Sequence, residues 1–260
     1  MAAPASAPRT RAAGPQHARG AEEPAAPAAS TAPEHVGVII DGNRRWAQGR
    51  GLSTADGHRE GARRISDVLR WMDERGIALG TIWMLSTDNA NRPADELQAL
   101  FGIIAATVED IAADGFSIRI IGDLSLIPAA SRQRIGAAID GADIRRDMQV
   151  NLAVGYGGRR EIVDAVRTSL RDAVAAGADP MEAIARLSEQ DVADHLYTAG
   201  QPDPDLIIRT SGEERLSGFL LWECVHTELV FTQTLWPDFS EQDLDAALEE
   251  FAGRDRRYGA

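Results

Sequence analysis

Apolar and polar positions fall along this chain in blocks of two kinds. Short unbroken apolar runs at residues 36–40 and 78–85 read as strands buried on both faces. The stretches 117–121, 149–154, 206–210 and 219–222 fit the same template. Between them apolar residues recur at helical spacing. Ile65, Val68, Leu69 and Met72 form one stripe, which Gly76 stops after Arg75. Beyond Pro93, the residues Leu97, Leu100, Phe101, Ile104, Val108 and Ile111 trace a long helix. Leu244, Leu248 and Phe251 mark a last one, from about Ser240 to Arg256. Strands interleaved with helices predict an α/β fold: a single domain with a mostly parallel central sheet flanked by helices. Residues 1–33 are Ala/Pro-rich without periodicity, which predicts a disordered tail ahead of a domain over 34–260.

The polar chemistry gathers where predicted strands end. The first strand runs into Asp41-Gly-Asn-Arg-Arg-Trp46, the second into Ser86-Thr-Asp-Asn-Ala-Asn-Arg-Pro93, and a late one into Arg209-Thr-Ser-Gly-Glu-Glu-Arg-Leu-Ser217. Strand carboxyl ends are where open α/β sheets bind ligands, so these loops converge on one rim. An acid for a metal, backbone N–H groups and two arginines within five residues suit a phosphorylated substrate held with Mg²⁺. Arg209, Arg215 and Ser217 repeat that chemistry, and two diphosphate-ready loops suggest two diphosphate substrates. In the 86–93 loop, Asn91 and Pro93 suit a helix start, whereas the polar beginning is unexplained by capping. His58 follows Asp56-Gly57 at a helix start and is a candidate phosphate ligand. The glycines of Gly155-Tyr-Gly-Gly-Arg-Arg160 read as a steric need of a strand-to-helix turn. Glu228, beside apolar Leu229, Val230 and Phe231, requires a partner, either an arginine or a metal.

Composition narrows the classes. A formal net charge of −13 argues against a nucleic-acid binder. All 27 basic residues are arginine, so Schiff-base chemistry and a lysine P-loop are excluded. Anion binding must rest on guanidinium forks, backbone N–H groups and metal. Cys224 is the only cysteine, which rules out an intrachain disulfide, reads as a core residue and suits a reducing, cytoplasmic setting. No stretch approaches the roughly 20 apolar residues of a membrane span. The histidines have no metal-site spacing.

Taken together, the segments 35–46, 57–58, 86–93, 155–161, 203–222 and Glu228 resemble the cis-prenyltransferases, the undecaprenyl diphosphate synthase-like family, over residues 34–259. The stretch 200–222 is similar to the actinobacterial short-chain (Z)-farnesyl diphosphate synthases within it. The resemblance implies Mg²⁺-dependent condensation of isopentenyl diphosphate with an allylic diphosphate (geranyl, dimethylallyl or farnesyl) to form a Z double bond. It assigns Asp41 to Mg²⁺ and to departure of the allylic diphosphate, with Glu228 as a second metal contact. Gly42, Asn43, Arg44 and Arg45 would cradle that diphosphate, with Trp46 and His58 lining the pocket. Asn89 sits where the family removes a proton; an amide is a poor base, so it reads as a positioning or relay group. Ser86, Thr87, Asp88, Ala90 and Arg92 fall in the same substrate loop. Arg209, Arg215, Leu216 and Ser217 would hold isopentenyl diphosphate.

An apolar tunnel is also implied, with Leu85, Leu97, Phe101 and Ile104 as candidate walls. Homodimerisation is implied too, with Arg257-Tyr-Gly259 completing the sites, and at most peripheral membrane contact. Three positions depart from the family's common pattern: Thr54 replaces an arginine, Ala90 a tryptophan and His226 a tyrosine. Met84 stands where long-chain members carry a small residue, and its bulk predicts a short tunnel and a product of about C15. The alternatives are a C50–C55 lipid-carrier synthase and a non-catalytic binding subunit; the intact Asp41, Asn89, Arg209 and Arg215 argue against the latter. A trans-prenyltransferase is disfavoured because no Asp-Asp-x-x-Asp stretch exists.

Overall fold

The computed structural model describes residues 32–91 and 93–254. The expected tail falls almost wholly outside the described residues, as do Arg92, the side chain of Ala90 and the 257–259 motif. Strand β1 (His35–Ile39) leads into helices α1 (Asn43–Gly49) and α2 (Thr54–Glu74). Strand β2 (Leu79–Ser86), a 3-10 turn at Thr87–Asn91 and α3 (Ala94–Ala113) follow, then β3 (Ser117–Ile121), α4 (Ala129–Asp140) and β4 (Gln149–Tyr156). After α5 (Gly158–Ala175), α6 (Pro180–Arg186) and α7 (Glu189–Ala193) come β5 (Leu206–Arg209), β6 (Glu228–Phe231) and α8 (Glu241–Ala252).

The six strands form one all-parallel sheet in the order β3-β4-β2-β1-β5-β6. All five residues of β1 are buried, the pattern of a central strand covered on both faces. One face carries Val36, Val38, Ile82, Val150, Leu152 and Ile208 against Ile65, Leu69, Ile104 and Phe251 of the helices. The other carries Ile39, Trp83, Tyr156 and Ile207 beneath Phe219 and Leu220. The chain leaves β1 toward β2 on one side and returns as β5 on the other. The crevice at their carboxyl ends is therefore a topological switch point, the place where such sheets bind ligands.

Two expected elements need correction. Residues 219–222 are a turn, not a strand: Leu220 has φ of 45°, a left-handed conformation no strand admits. Their apolar run reflects burial of Phe219 and Leu220 under the sheet's second face. The sixth strand is instead Glu228–Phe231, and the last helix stops at Gly253.

A buried polar cluster sits inside the sheet, at the amino end of β1. His35 is fully buried, with Nδ1 at 2.8 Å from the Pro202 carbonyl and Nε2 at 2.8 Å from Thr81 Oγ1. Asn151 donates to Thr81 Oγ1 and to Gln201 Oε1. Desolvation lowers the His35 pKa from 6.5 to about 4, against the opposing carbonyl of Pro202 and the charge of Asp205. The fold thus prefers the neutral ring. Its contribution, roughly 3 kcal/mol, is full above the unfolded value of about 6.5 and is lost as pH falls toward 4. An NMR titration should find this imidazole neutral until about pH 4.

Candidate active site

A cavity of about 800 Å³ opens at the carboxyl ends of β1, β2 and β5, within the roughly 300–1,000 Å³ range of small-molecule sites. Its polar rim comes from two loops. After β1, Gly42 takes φ of 111° and caps α1 without a side-chain hydrogen bond. A Cβ there would meet the Leu235 side chain at 3.0 Å, so both the conformation and the space demand glycine. The turn brings Asp41, Gly42, Asn43, Arg44 and Arg45 to the cavity. After β5, the second loop bears positive φ at Ser211 and Ser217, strain of the kind found in ligand-binding loops, and Arg209 and Ser217 reach the same cavity.

Arg209 joins the two loops. Its Nη2 donates to Asp41 Oδ2 at 2.8 Å, and its Nη1 donates to Ser217 Oγ at 2.8 Å and to the Arg215 carbonyl. It is 4 % exposed, and its Nε has no partner among the described residues. The Asp41 N–H donates to Thr210 Oγ1 at 2.9 Å, a second tie between the loops. Arg45 donates to the Ser211 carbonyl and to Ser211 Oγ, with its Nη2 3.9 Å from Asp41 Oδ1 and 3.8 Å from Glu213 Oε1. Arg44 pairs with Glu96 of α3 at 3.1 Å, and His58 Nε2 lies 3.7 Å from the same carboxylate. Asn89 and Ser86 line the cavity from the end of β2, with the Asn89 N–H donating to Ser86 Oγ.

Below the rim the walls are apolar: Ile40, Leu52, Ile65, Met84 and Leu100. Leu85, Phe101 and Ile104, expected as tunnel walls, are instead buried in the core, and Leu97 packs against it. Their side chains belong to the core shared by the sheet, α2 and α3. A smaller cavity of about 300 Å³ lies beside it and shares Thr54, His58 and Leu100 as its wall.

Several expected site residues lie elsewhere. Trp46 turns away from the cavity: its Nε1 donates to Asp238 Oδ1 at 2.7 Å and its ring lies under the Arg50 guanidinium. Three residues after Asn43 on a helix, it occupies a different side of α1 from Arg45. Glu228 opens β6 and is paired with Leu206 at the amino edge of a parallel sheet, opposite the rim that holds Asp41. Its Oε2 is bonded by Arg254 at 2.5 Å, so the partner it requires is an arginine and the two acids do not meet within this chain. Arg215 is exposed and paired with Glu213, and Leu216 packs against the apolar cluster that includes Trp83 and Phe219. Thr87 packs on Gly157, where a Cβ would stand 2.6 Å from Thr87 Oγ1, and Asp88 is exposed; neither lines the cavity. The 155–160 glycines serve packing, as expected: the Gly158 N–H donates to the Gly218 carbonyl at 2.9 Å.

Sequence reading missed Gly61. A Cβ there would collide with Asn43 Oδ1 and stand 2.9 Å from Trp236 Cδ1, so this glycine lets α1 sit on α2. Gly61→Ala should destabilise the chain by about 1–3 kcal/mol in denaturant unfolding, because it displaces the loop that carries Asp41. The missed signal was Gly57 and Gly61 four residues apart, on one helical face.

The fold and this rim define an α/β enzyme that binds phosphorylated ligands at a sheet switch point with acid, guanidinium and hydroxyl groups above an apolar floor. Residues 39–259 match the prenyltransferase family described as "Putative undecaprenyl diphosphate synthase". A (2Z,6E)-farnesyl diphosphate synthase of Thermobifida fusca is 50% identical over 228 residues, covering 87% of this chain and 90% of that protein. A short-chain Z-isoprenyl diphosphate synthase of Mycobacterium bovis is 47% identical over 88% of this chain and 89% of its own length. The crystal structure of lavandulyl diphosphate synthase from Lavandula x intermedia, in complex with dimethylallyl diphosphate, superposes with a TM-score of 0.81 at 35% identity, covering 88% of this chain and 99% of that one. The chain belongs to the undecaprenyl diphosphate synthase family of prenyltransferases. Among its described residues no helix is long and apolar enough to cross a membrane.

Proposed function

We propose that this prenyltransferase condenses isopentenyl diphosphate with an allylic diphosphate, makes a Z double bond, releases diphosphate and stops at a short product of about C15. The observation that carries the reading is a single cavity with two anion-ready loops at its rim and Met84, Ile65 and Leu100 at its floor. The allylic diphosphate belongs on Gly42–Arg45, where first-turn N–H groups and Arg45 face it. Isopentenyl diphosphate belongs on Arg209 and Ser217, whose contacts hold the second loop against the first. Arg215, exposed at that loop, reaches a bound diphosphate once released from Glu213. Asn89 orients the reacting carbon and the proton it loses; an amide is suited to positioning rather than to accepting that proton.

The rim also fits Mg²⁺. Asp41 Oδ2 is taken by Arg209, while among the described residues Oδ1 has only the 3.9 Å approach of Arg45 and is the oxygen to meet a cation. No group of three or more acidic, His or Cys side chains suited to a metal occurs among the described residues. One carboxylate is enough for an ion that completes its shell with substrate phosphates and water. Bound Mg²⁺ would offset charge developing on the departing diphosphate. Arg45, Arg209 and the α1 N–H groups do the same work where that charge develops. The apolar walls keep water from the electron-poor allylic carbon.

The enzyme is read further as a cytoplasmic homodimer with at most peripheral membrane contact. A single half-buried cysteine suits a reducing compartment. Labelled isopentenyl diphosphate supplied in turn with geranyl, dimethylallyl and farnesyl diphosphate tests the reading. The expected result is Mg²⁺-dependent formation of one short prenyl diphosphate. A product of C50 or longer would favour the lipid-carrier alternative.

A further inference from the structure

On the sheet face that carries Tyr156 beneath Phe219, two carboxyl groups are buried together. Glu161, on the first turn of α5, is 1 % exposed, and Glu223, in the turn after the second substrate loop, is 4 % exposed. Both Glu161 oxygens are occupied: Tyr156 Oη donates to Oε2, and the Tyr197 N–H donates to Oε1 at 3.0 Å. Glu223 Oε1 accepts from Thr198 Oγ1 at 2.6 Å, while its Oε2 is buried with no partner among the described residues. Neither acid forms an ion pair among the described residues. Two such carboxylates cannot both stay charged in a site of this kind, because each would lack a counter-ion and would repel the other.

We infer that Glu161 and Glu223 hold one proton between them, and that this proton fastens the 216–224 segment, with Ser217 at its head, against β4 and α5. Tyr156 closes β4, its ring meets Trp83 and Phe219 edge-on, and its hydroxyl reaches Glu161. Phe219 and Gly218 follow directly on Ser217, the hydroxyl that receives Arg209. A second charge in the pair would push Glu223 from Glu161 and loosen this segment. Arg209 would then lose a fixed acceptor. The pair is thus a positioning device for the second substrate loop, sensitive to alkaline pH.

The other titratable neighbours act in the same direction. Burial, then repulsion from Glu223, raises the Glu161 pKa, and burial raises that of Glu223, with Asp203 adding to it. Tyr156 and Cys224 are likewise pushed up by burial and by these acids, so neither supplies a positive or exchangeable charge near neutrality. Tyr197 donates its hydroxyl to Asp164, and Arg160 spends its charge on Asp164 and Asp123, outside the pair. His226 acts on Asp203 rather than on either glutamate.

Infrared spectroscopy of the full chain tests the proton directly. A protonated-carboxyl C=O band should persist at pH 7, fade as pH is raised past about 8, where Glu161 gives up its proton, and be missing from Glu161→Gln. Its absence from the wild type, or its survival in both Glu223→Gln and Glu161→Gln, would overturn the assignment. Kinetics test the fastening. In the wild type the KM for isopentenyl diphosphate should rise about fivefold or more across that pH range with kcat little changed, and Glu223→Gln should abolish the rise. An equal rise in the variant would overturn the positioning role. The kinetic arm rests on the transferase reading above and the infrared arm does not, so the two failures can be told apart.

Discussion

Asp41→Asn should leave the fold and substrate affinity nearly intact and lower kcat by about a thousandfold or more. The asparagine keeps the shape and can still accept from Arg209, so the loop-to-loop tie at 2.8 Å survives. What disappears is the negative charge at Oδ1, the Asp41 oxygen that Arg209 leaves open to a cation. Removing a single transition-state donor typically costs a factor of about 10²–10³. Loss of the carboxylate proposed to hold Mg²⁺ should cost at least that. Steady-state kinetics with saturating Mg²⁺ and a thermal-melt control separate the two effects. A variant with full turnover would remove Asp41 from the chemistry.

Met84→Ala should lengthen the product, and Met84→Phe should shorten it or block turnover. Met84 is half-buried on β2 and lines the cavity floor with Ile65 and Leu100. Truncating a core methionine to alanine costs roughly 2–5 kcal/mol, and the partial exposure here puts the cost at the low end. The folded variant therefore gains space where the growing chain ends. Chromatography of the dephosphorylated products reads the outcome. Identical product lengths from all three enzymes would mean that the floor lies elsewhere, with Leu100 and the neighbouring cavity the place to look.

The fold was largely legible because parallel strands buried on both faces announce themselves as apolar runs, and each polar rim loop begins where a run ends. Asp41, Arg45, Arg209 and Ser217 stand where that rule puts them, around one cavity. Glu228 lies away from this chain's rim by the same rule: an acid that precedes an apolar run stands at a strand's amino end. Trp46 was misplaced because side-chain direction on a short helix depends on what the helix packs against, here Asp238 and Arg50. Residues 219–222 looked like a strand because a buried turn and a buried strand have the same composition; only the backbone of Leu220 separates them. His35, Glu161 and Glu223 escaped notice for another reason. Burial of a polar side chain is a tertiary fact, and nothing in the neighbouring residues encodes it.

The tunnel walls show the same limit. Leu85, Phe101 and Ile104 are apolar on the expected faces, yet they touch each other and the sheet rather than open space. Periodicity finds the face of a helix that turns inward. Whether that face meets a neighbour or a cavity depends on side-chain volumes across several elements.

The most direct test is a crystal structure with unreactive thio-analogues of both substrates and Mg²⁺ bound together. The expected arrangement has the allylic diphosphate on Gly42–Arg45, the isopentenyl diphosphate on Arg209 and Ser217, the metal at Asp41, and the prenyl tail running down to Met84. Diphosphates bound on surfaces away from the crevice between β1 and β5, or Asp41 and Arg209 touching neither, would contradict it.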